Sequence, residues 1–214
     1  MKKYPIYFLM LLLLGSCTYS GCNREKPVPL FSLPEEIKAW GYFKPGSWWL
    51  YQEDSTGIRD CVWVSSAGIQ YNEDWNDGKL TSRYETGSVA LQTSTSNSVI
   101  DYQIRERNFF LRQVWAEQKI DFQFSLFSYN DNNEIFFNGN VFSFTSCQIN
   151  NTSYNNVKRV NSNIKFSVLV NNIYTYSYHE CEFWLAKNQG FLKKILRTPV
   201  DTTYWSIINY HIEQ

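Results

Sequence analysis

The chain is poor in histidine, has no surplus of charge of either sign and lacks an apolar run long enough to cross a bilayer. His179 and His211 are its only histidines in 214 residues, so a histidine-built metal centre has too few donors. Its 20 Lys and Arg balance 20 Asp and Glu. With no basic surplus to screen phosphates, a nucleic-acid partner is excluded. The apolar stretch at residues 6–14 falls short of a roughly 30 Å hydrocarbon core and is not a mature membrane-spanning helix. No Gly-x-Ser-x-Gly elbow, Walker A loop or dinucleotide fingerprint occurs. The cysteines form neither a Cys-x-x-Cys redox pair nor a compact zinc pattern. A clear helical apolar stripe is also missing, apart from ambiguous segments around residues 105–119. No cofactor is implied.

What the chain does have begins at its N-terminus. Lys2 and Lys3, the apolar stretch and the small residues Gly15 and Ser16 have the plan of a secretory signal peptide. Leu14-Gly15-Ser16-Cys17 resembles the lipobox of bacterial lipoproteins, in which the cysteine receives a diacylglycerol and the new N-terminus is acylated. Together these chains anchor stably, which one chain alone would not. The competing reading is a plain secreted protein cut nearby. The expected organisation is a lipoprotein signal peptide over residues 1–16, lipidated Cys17 and a Pro-rich tether over 17–35, and one β-rich domain over 36–214. The expected location is the cell envelope, lipid-anchored, with the membrane as a partner. Thr18, in place of an Asp after Cys17, is compatible with the outer membrane.

Beyond the tether, a single helical turn is expected at 35–40. Strands at 47–52 and 58–65 flank the turn Asp54-Ser55-Thr56-Gly57 and make a hairpin. Short strands bounded by Asn, Gly and Ser then recur to the end, and residues 121–126 alternate strictly, with Phe122, Phe124 and Leu126 on one face. The pattern predicts an all-β domain: a strongly curved, mainly antiparallel sheet or incomplete barrel, with one short helix against it. Aromatic residues make up 18% of the chain. They fill sheets well, and they also line grooves and interfaces. Trp48, Trp49, Trp63, Phe122, Phe124, Trp184 and Trp205 are therefore candidates for a ligand groove or interface.

Cys22, Cys61, Cys147 and Cys181 remain after Cys17. An exported protein can pair them in three two-bridge ways, or form one bridge among Cys61, Cys147 and Cys181. His179-Glu180-Cys181 invites a metal site or a nucleophile pair, but remote ligands are lacking, and a buried or disulfide-bonded Cys181 is expected. Most carboxylates fall in turns. Gly57 and Gly190 are expected to serve turns or close strand approach, Asp60 to accept backbone N–H groups, and Lys193, Lys194 and Arg197 to decorate a strand.

Phe43, Gly46, Trp49, Tyr51, Ser55, Gly57, Asp60 and Val62 resemble the opening hairpin of a group of Bacteroidota lipoproteins of unknown function. Tyr154-Asn155-Asn156-Val157, Ala186-Lys187-Asn188-Gln189-Gly190 and the ending Trp205–Tyr210 resemble its later segments. The resemblance spans 43–210 and implies a curved antiparallel sheet, somewhat like the half-barrels of periplasmic lipoprotein carriers. It implies no catalyst. Cys61 and Cys181 depart from the group's pattern and suggest a staple between first and last strands. The functional expectation is a non-catalytic binding module for an apolar or glycan ligand or an envelope protein. A structural or adhesive lipoprotein without a small ligand is the alternative, and an enzyme acting on envelope glycan or lipid is the third. Cys17→Ser is expected to leave the precursor uncut and unacylated in the mass spectrum; an unchanged mature mass would overturn the anchor.

Overall fold

A computed structural model describes residues 27–95, 99–105, 108–115, 120–129 and 135–213. The alternation and turn residues build thirteen strands there: β1 (Leu30–Phe31), β2 (Trp48–Glu53), β3 (Arg59–Asn76), β4 (Lys79–Thr93), β5 (Val99–Arg105), β6 (Asn108–Trp115), β7 (Ile120–Tyr129), β8 (Ile135–Phe137), β9 (Asn140–Ile149), β10 (Thr152–Val170), β11 (Ile173–Ala186), β12 (Gly190–Arg197) and β13 (Thr202–His211). One helix, α1 (Glu35–Gly41), precedes β2. It starts at Pro34, whose carbonyl accepts from Ile37 and Lys38, and Glu35 and Glu36 suit its positive end.

All strands join one sheet in the order β8-β7-β6-β5-β4-β3-β2-β13-β12-β11-β10-β9. Two antiparallel meanders, β2 to β8 and β9 to β13, thus meet where β2 pairs with β13. β1 adds a short parallel pairing to β4, and β10 also meets β7 over three residue pairs.

The mainly β character and the short helix agree with expectation, but the strongly curved sheet or incomplete barrel does not. The sheet is neither closed into a barrel nor strongly curled, and its path has two ends, at β8 and β9. Strand length is the physical reason. β3 runs 18 residues instead of stopping near Ser65, and past Val64 none of its residues is buried. Beyond Ile69 it pairs with β4 as a largely exposed ribbon, so it offers no apolar interior for a curl to enclose.

The core lies where strands overlap fully. β2 sends Trp49, Tyr51 and Glu53 inward and leaves Trp48, Leu50 and Gln52 on the other face. Val62, Val64, Phe183, Leu185, Leu192 and Ile207 join from neighbouring strands, with Ile37, Trp40 and Phe43 covering them from α1 and the segment after it. Phe43 meets Trp49 edge-on, ring centroids 5.0 Å apart. Gly190 sits under this pair: its φ is +81°, and a Cβ there would lie 3.2 Å from Phe43 and 3.3 Å from Trp49. Both sequence readings of Gly190, turn and close approach, apply together. Asp60 does accept backbone N–H groups, but from Ser94 (3.0 Å) and Thr95 (3.2 Å) beyond β4, not from its own hairpin turn.

Gly57 also has positive φ but open space around it. Gly57→Ala is expected to cost about 1–2 kcal/mol for the left-handed backbone alone. Gly190→Ala should add about 1–3 kcal/mol of overpacking. Urea midpoints compare the two, and equal losses would refute the packing argument.

Candidate functional site

The aromatic candidates do not gather in one groove. Trp49 is a core residue whose Nε1 donates to the Gln189 carbonyl at 2.6 Å. Trp48 and Trp63 face each other on β2 and β3, half-buried on the opposite face, and His211 stacks on Trp48 with centroids 6.5 Å apart. Trp205 packs half-buried against the core, opposite Glu53 and Lys194. Phe122 and Phe124 fall in β7, but their side chains lie outside the described residues. Cys17 and Cys22 lie outside them as well.

Cys61, Cys147 and Cys181 are all free thiols here, and the sheet explains why no bridge joins them. Cys181 is fully buried in the core. Cys61 lies between the inward Asp60 and Val62, so it points to the other face. β2, β13 and β12 also stand between their strands, about 19 Å of sheet at ~4.8 Å per strand against the ~4 Å Cβ separation a bridge needs. Cys147 is opposite Tyr154 and Cys181 opposite Ser162, which puts roughly 26 Å of β10 between them. Burial raises all three thiols above the ordinary value of 9.0, with the Asp60 charge adding to the effect at Cys61. His179 packs edge-on to Phe166 and bonds the Ser177 hydroxyl at 3.0 Å. Among the described residues no cluster of His, Cys, Asp and Glu could hold a metal.

One aromatic candidate does line a cleft. Trp184, Lys193 and Ser206 stand side by side because β11, β12 and β13 pair them directly. The turn between β9 and β10 reaches over this row: Gln148, Ile149 and Asn150 form the far wall, and Asn150 Nδ2 donates to the Ile207 carbonyl at 2.9 Å. Asn150 and Asn151 both take positive φ there, a conformation asparagine tolerates. Asp54, from the turn after β2, closes the cleft and pairs with Lys193 at 3.5 Å. The cleft is open to solvent on one side and holds about 290 Å³.

Trp184 is held from several sides. Its Nε1 donates to Glu182 at 2.6 Å, Phe144 stacks parallel at 5.3 Å, and the Arg159 guanidinium lies 5.7 Å from the ring while pairing with Glu182 at 2.9 Å. The cleft thus combines one fixed ring, two side-chain amides, a hydroxyl and an internally neutralised ion pair. Sequence reasoning named Trp184 and missed Asp54, Gln148, Asn150 and Ser206, which come from remote segments with no shared local signature. A second cleft, about 350 Å³, lies beside α1 between Glu35, Lys38, Tyr42, Lys44, Ile69 and Asn188. No protein-family model, curated protein or solved structure matches the chain.

Lys194, expected as strand decoration, instead aligns with Leu192 and Leu196 on the core face and sets its ammonium 4.5 Å from the centre of the Tyr51 ring. Burial pulls it from 10.5 down to about 8, against the opposing pull of Asp60. Below pH 8 both folded and unfolded chains carry this charge, and its burial penalty is fully present. From about 8 to 10.5 the folded chain releases the proton first, so this group adds stability as pH rises. The thiols act oppositely, because unfolded thiols ionise first. The difference between wild type and Lys194→Met isolates the lysine: urea midpoints at pH 7 and pH 10 should show the variant lacking the upward contribution. Parallel pH profiles would contradict the assignment.

Proposed function

We propose that this chain is a lipid-anchored envelope protein whose β domain is a non-catalytic binding module, with a glycan as the ligand of the Trp184 cleft. The lipobox-like Leu14-Gly15-Ser16-Cys17, the Pro-rich tether and the resemblance to Bacteroidota lipoproteins support the compartment. The observation that carries the binding reading is the preorganised Trp184 ring beside Gln148, Asn150, Ser206 and the Asp54–Lys193 pair. A pyranose carries hydroxyls that suit side-chain amides and a carboxylate, and C–H groups that pack on apolar surface. A strongly charged ligand fits less well, since Lys193 is already spent on Asp54 and Arg159 on Glu182.

A second reading, a surface protein without a small ligand, is favoured by one feature. Tyr174, Tyr176 and Tyr178 stand exposed on the same face of β11, at 60%, 59% and 68% of full exposure. Such a row of rings is ordinary interface material.

Titration calorimetry against soluble hexose and N-acetylhexosamine oligosaccharides separates the two. Binding by at least one sugar is expected, weakened tenfold or more, about 1.4 kcal/mol, in Trp184→Ala and Asp54→Ala. Trp63→Ala, which does not line the cleft, should bind as wild type. Absence of binding across the panel would sink the glycan reading.

A further inference from the structure

The ribbon of β3 and β4 ends in a tight turn at Asp77-Gly78, both at positive φ (48° and 72°) as a two-residue hairpin loop demands. Trp75 sits close behind that turn, opposite Leu80. It is 60% exposed, and among the described residues no other tryptophan is exposed. Nothing in the domain covers this ring. Tryptophan is enriched where a bilayer meets water, because its ring is apolar and its N–H is polar.

The chain that enters the domain comes from the same direction. β1 runs parallel to β4, the Pro29 carbonyl accepts from Arg83 N–H at 2.9 Å, and Leu33 N–H donates to the Glu85 carboxylate at 2.8 Å. Passing back from Leu33 to Pro29 therefore moves from Glu85 to Arg83, toward the turn. Pro27-Val28-Pro29 favours extended backbone that keeps this heading. Arg83 lies roughly 15 Å from the turn along the strand, whereas residues 17–29 span at most about 45 Å. An anchor on Cys17 thus has the reach to let the turn rest on the bilayer.

We propose that the β3–β4 hairpin is a second membrane contact, which seats Trp75 in the interfacial zone of the bilayer that holds the Cys17 lipids. The inference rests on the lipid-anchored reading. The surface it fits is zwitterionic. Arg83 is paired with Glu73 at 3.0 Å, Asp77 and Lys79 offset one another across the turn, and Asp74, which accepts from the Ser82 hydroxyl at 2.8 Å, adds one negative charge. The hairpin therefore has no basic cluster to seek anionic headgroups, and burial of the ring is the attraction. A single ring binds a bilayer weakly from solution, but a tether raises its effective concentration at the surface. This contact also gives the exposed ribbon past Ile69 a role that core packing does not.

The test uses acylated mature protein in phosphatidylcholine vesicles whose acyl chains are brominated near the glycerol end, since bromine quenches tryptophan on contact. Wild type should lose emission relative to unbrominated vesicles. Trp75→Phe should lose at least threefold less, and Trp63→Phe, which keeps the hairpin ring, should match wild type. Raising the salt should leave the quenching in place, because no net attraction between charges is involved. Equal quenching of wild type and Trp75→Phe overturns the proposal, as does quenching that salt abolishes. The intact mass separates the two readings. An unacylated protein overturns the anchor and this contact together, whereas an acylated protein with Trp75 unquenched overturns the hairpin contact alone.

Discussion

The pairing of β2 with β13 holds the molecule together. It joins two meanders, which β7 and β10 also bridge over three residue pairs, through partners from opposite ends of the domain. Six residue pairs run from Trp205–Glu53 to His211–Trp48, with a shift in register between Ile207 and Asn209. The seam is reinforced beyond the strands. Glu213 N–H donates to the Ser47 hydroxyl at 2.9 Å, that hydroxyl donates back to the Glu213 carbonyl at 3.2 Å, and Lys44 N–H donates to the same carbonyl. These contacts lie 166 residues apart in sequence, so their loop-closure entropy must be overcome by the core that the seam completes. The candidate cleft depends on the same seam, since Asp54 follows β2 whereas Lys193 and Ser206 belong to β12 and β13.

Asp60, Tyr51 and Glu53 carry polar groups into the core, and each finds a hydrogen-bond partner there, as burial demands. Asp60 accepts from the backbone and hydroxyl of Ser94 and from Thr95. Tyr51 donates its hydroxyl to the Phe191 carbonyl at 2.8 Å, and Glu53 accepts from the Thr56 hydroxyl. Lys194 differs, being held by the face of an aromatic ring and the more distant charge of Asp60. The same economy shapes the cleft wall, where Glu182 serves both Arg159 and the Trp184 indole. A ring fixed in this way loses little rotamer entropy when a ligand settles against it, which is the physical content of preorganisation.

Legibility from sequence varied with the range of the interaction involved. The hairpin around Asp54–Gly57, the helix after Pro34 and the meander order follow from local turn chemistry and alternation. The outer half of β3 did not: Ala67, Ile69, Tyr71 and Trp75 alternate with polar residues, but Ser65, Ser66 and Gly68 at their start look like a turn. Among the aromatic candidates, Trp48 and Trp49 were indistinguishable in sequence, yet one is half-buried against His211 and the other is buried beneath Phe43. Trp184 became a cleft residue only through Lys193 and Ser206 beside it and the β9–β10 turn above it.

The amino-acid sequence by itself determined that the described residues form β-strands with one short helix, since period-two alternation and turn residues act over a few neighbouring positions. It also carries the lipobox-like stretch from which an envelope address is proposed. Tertiary structure alone decided that the sheet stays open, which face of each strand is the core, that three cysteines stand too far apart to pair, and that Asp54, Asn150, Trp184 and Ser206 share one cleft. Alternation says which residues of a strand lie together but not which of the two sets turns inward. Strand partners as remote as β2 and β13 are chosen by the packing they complete, and no local pattern encodes that choice.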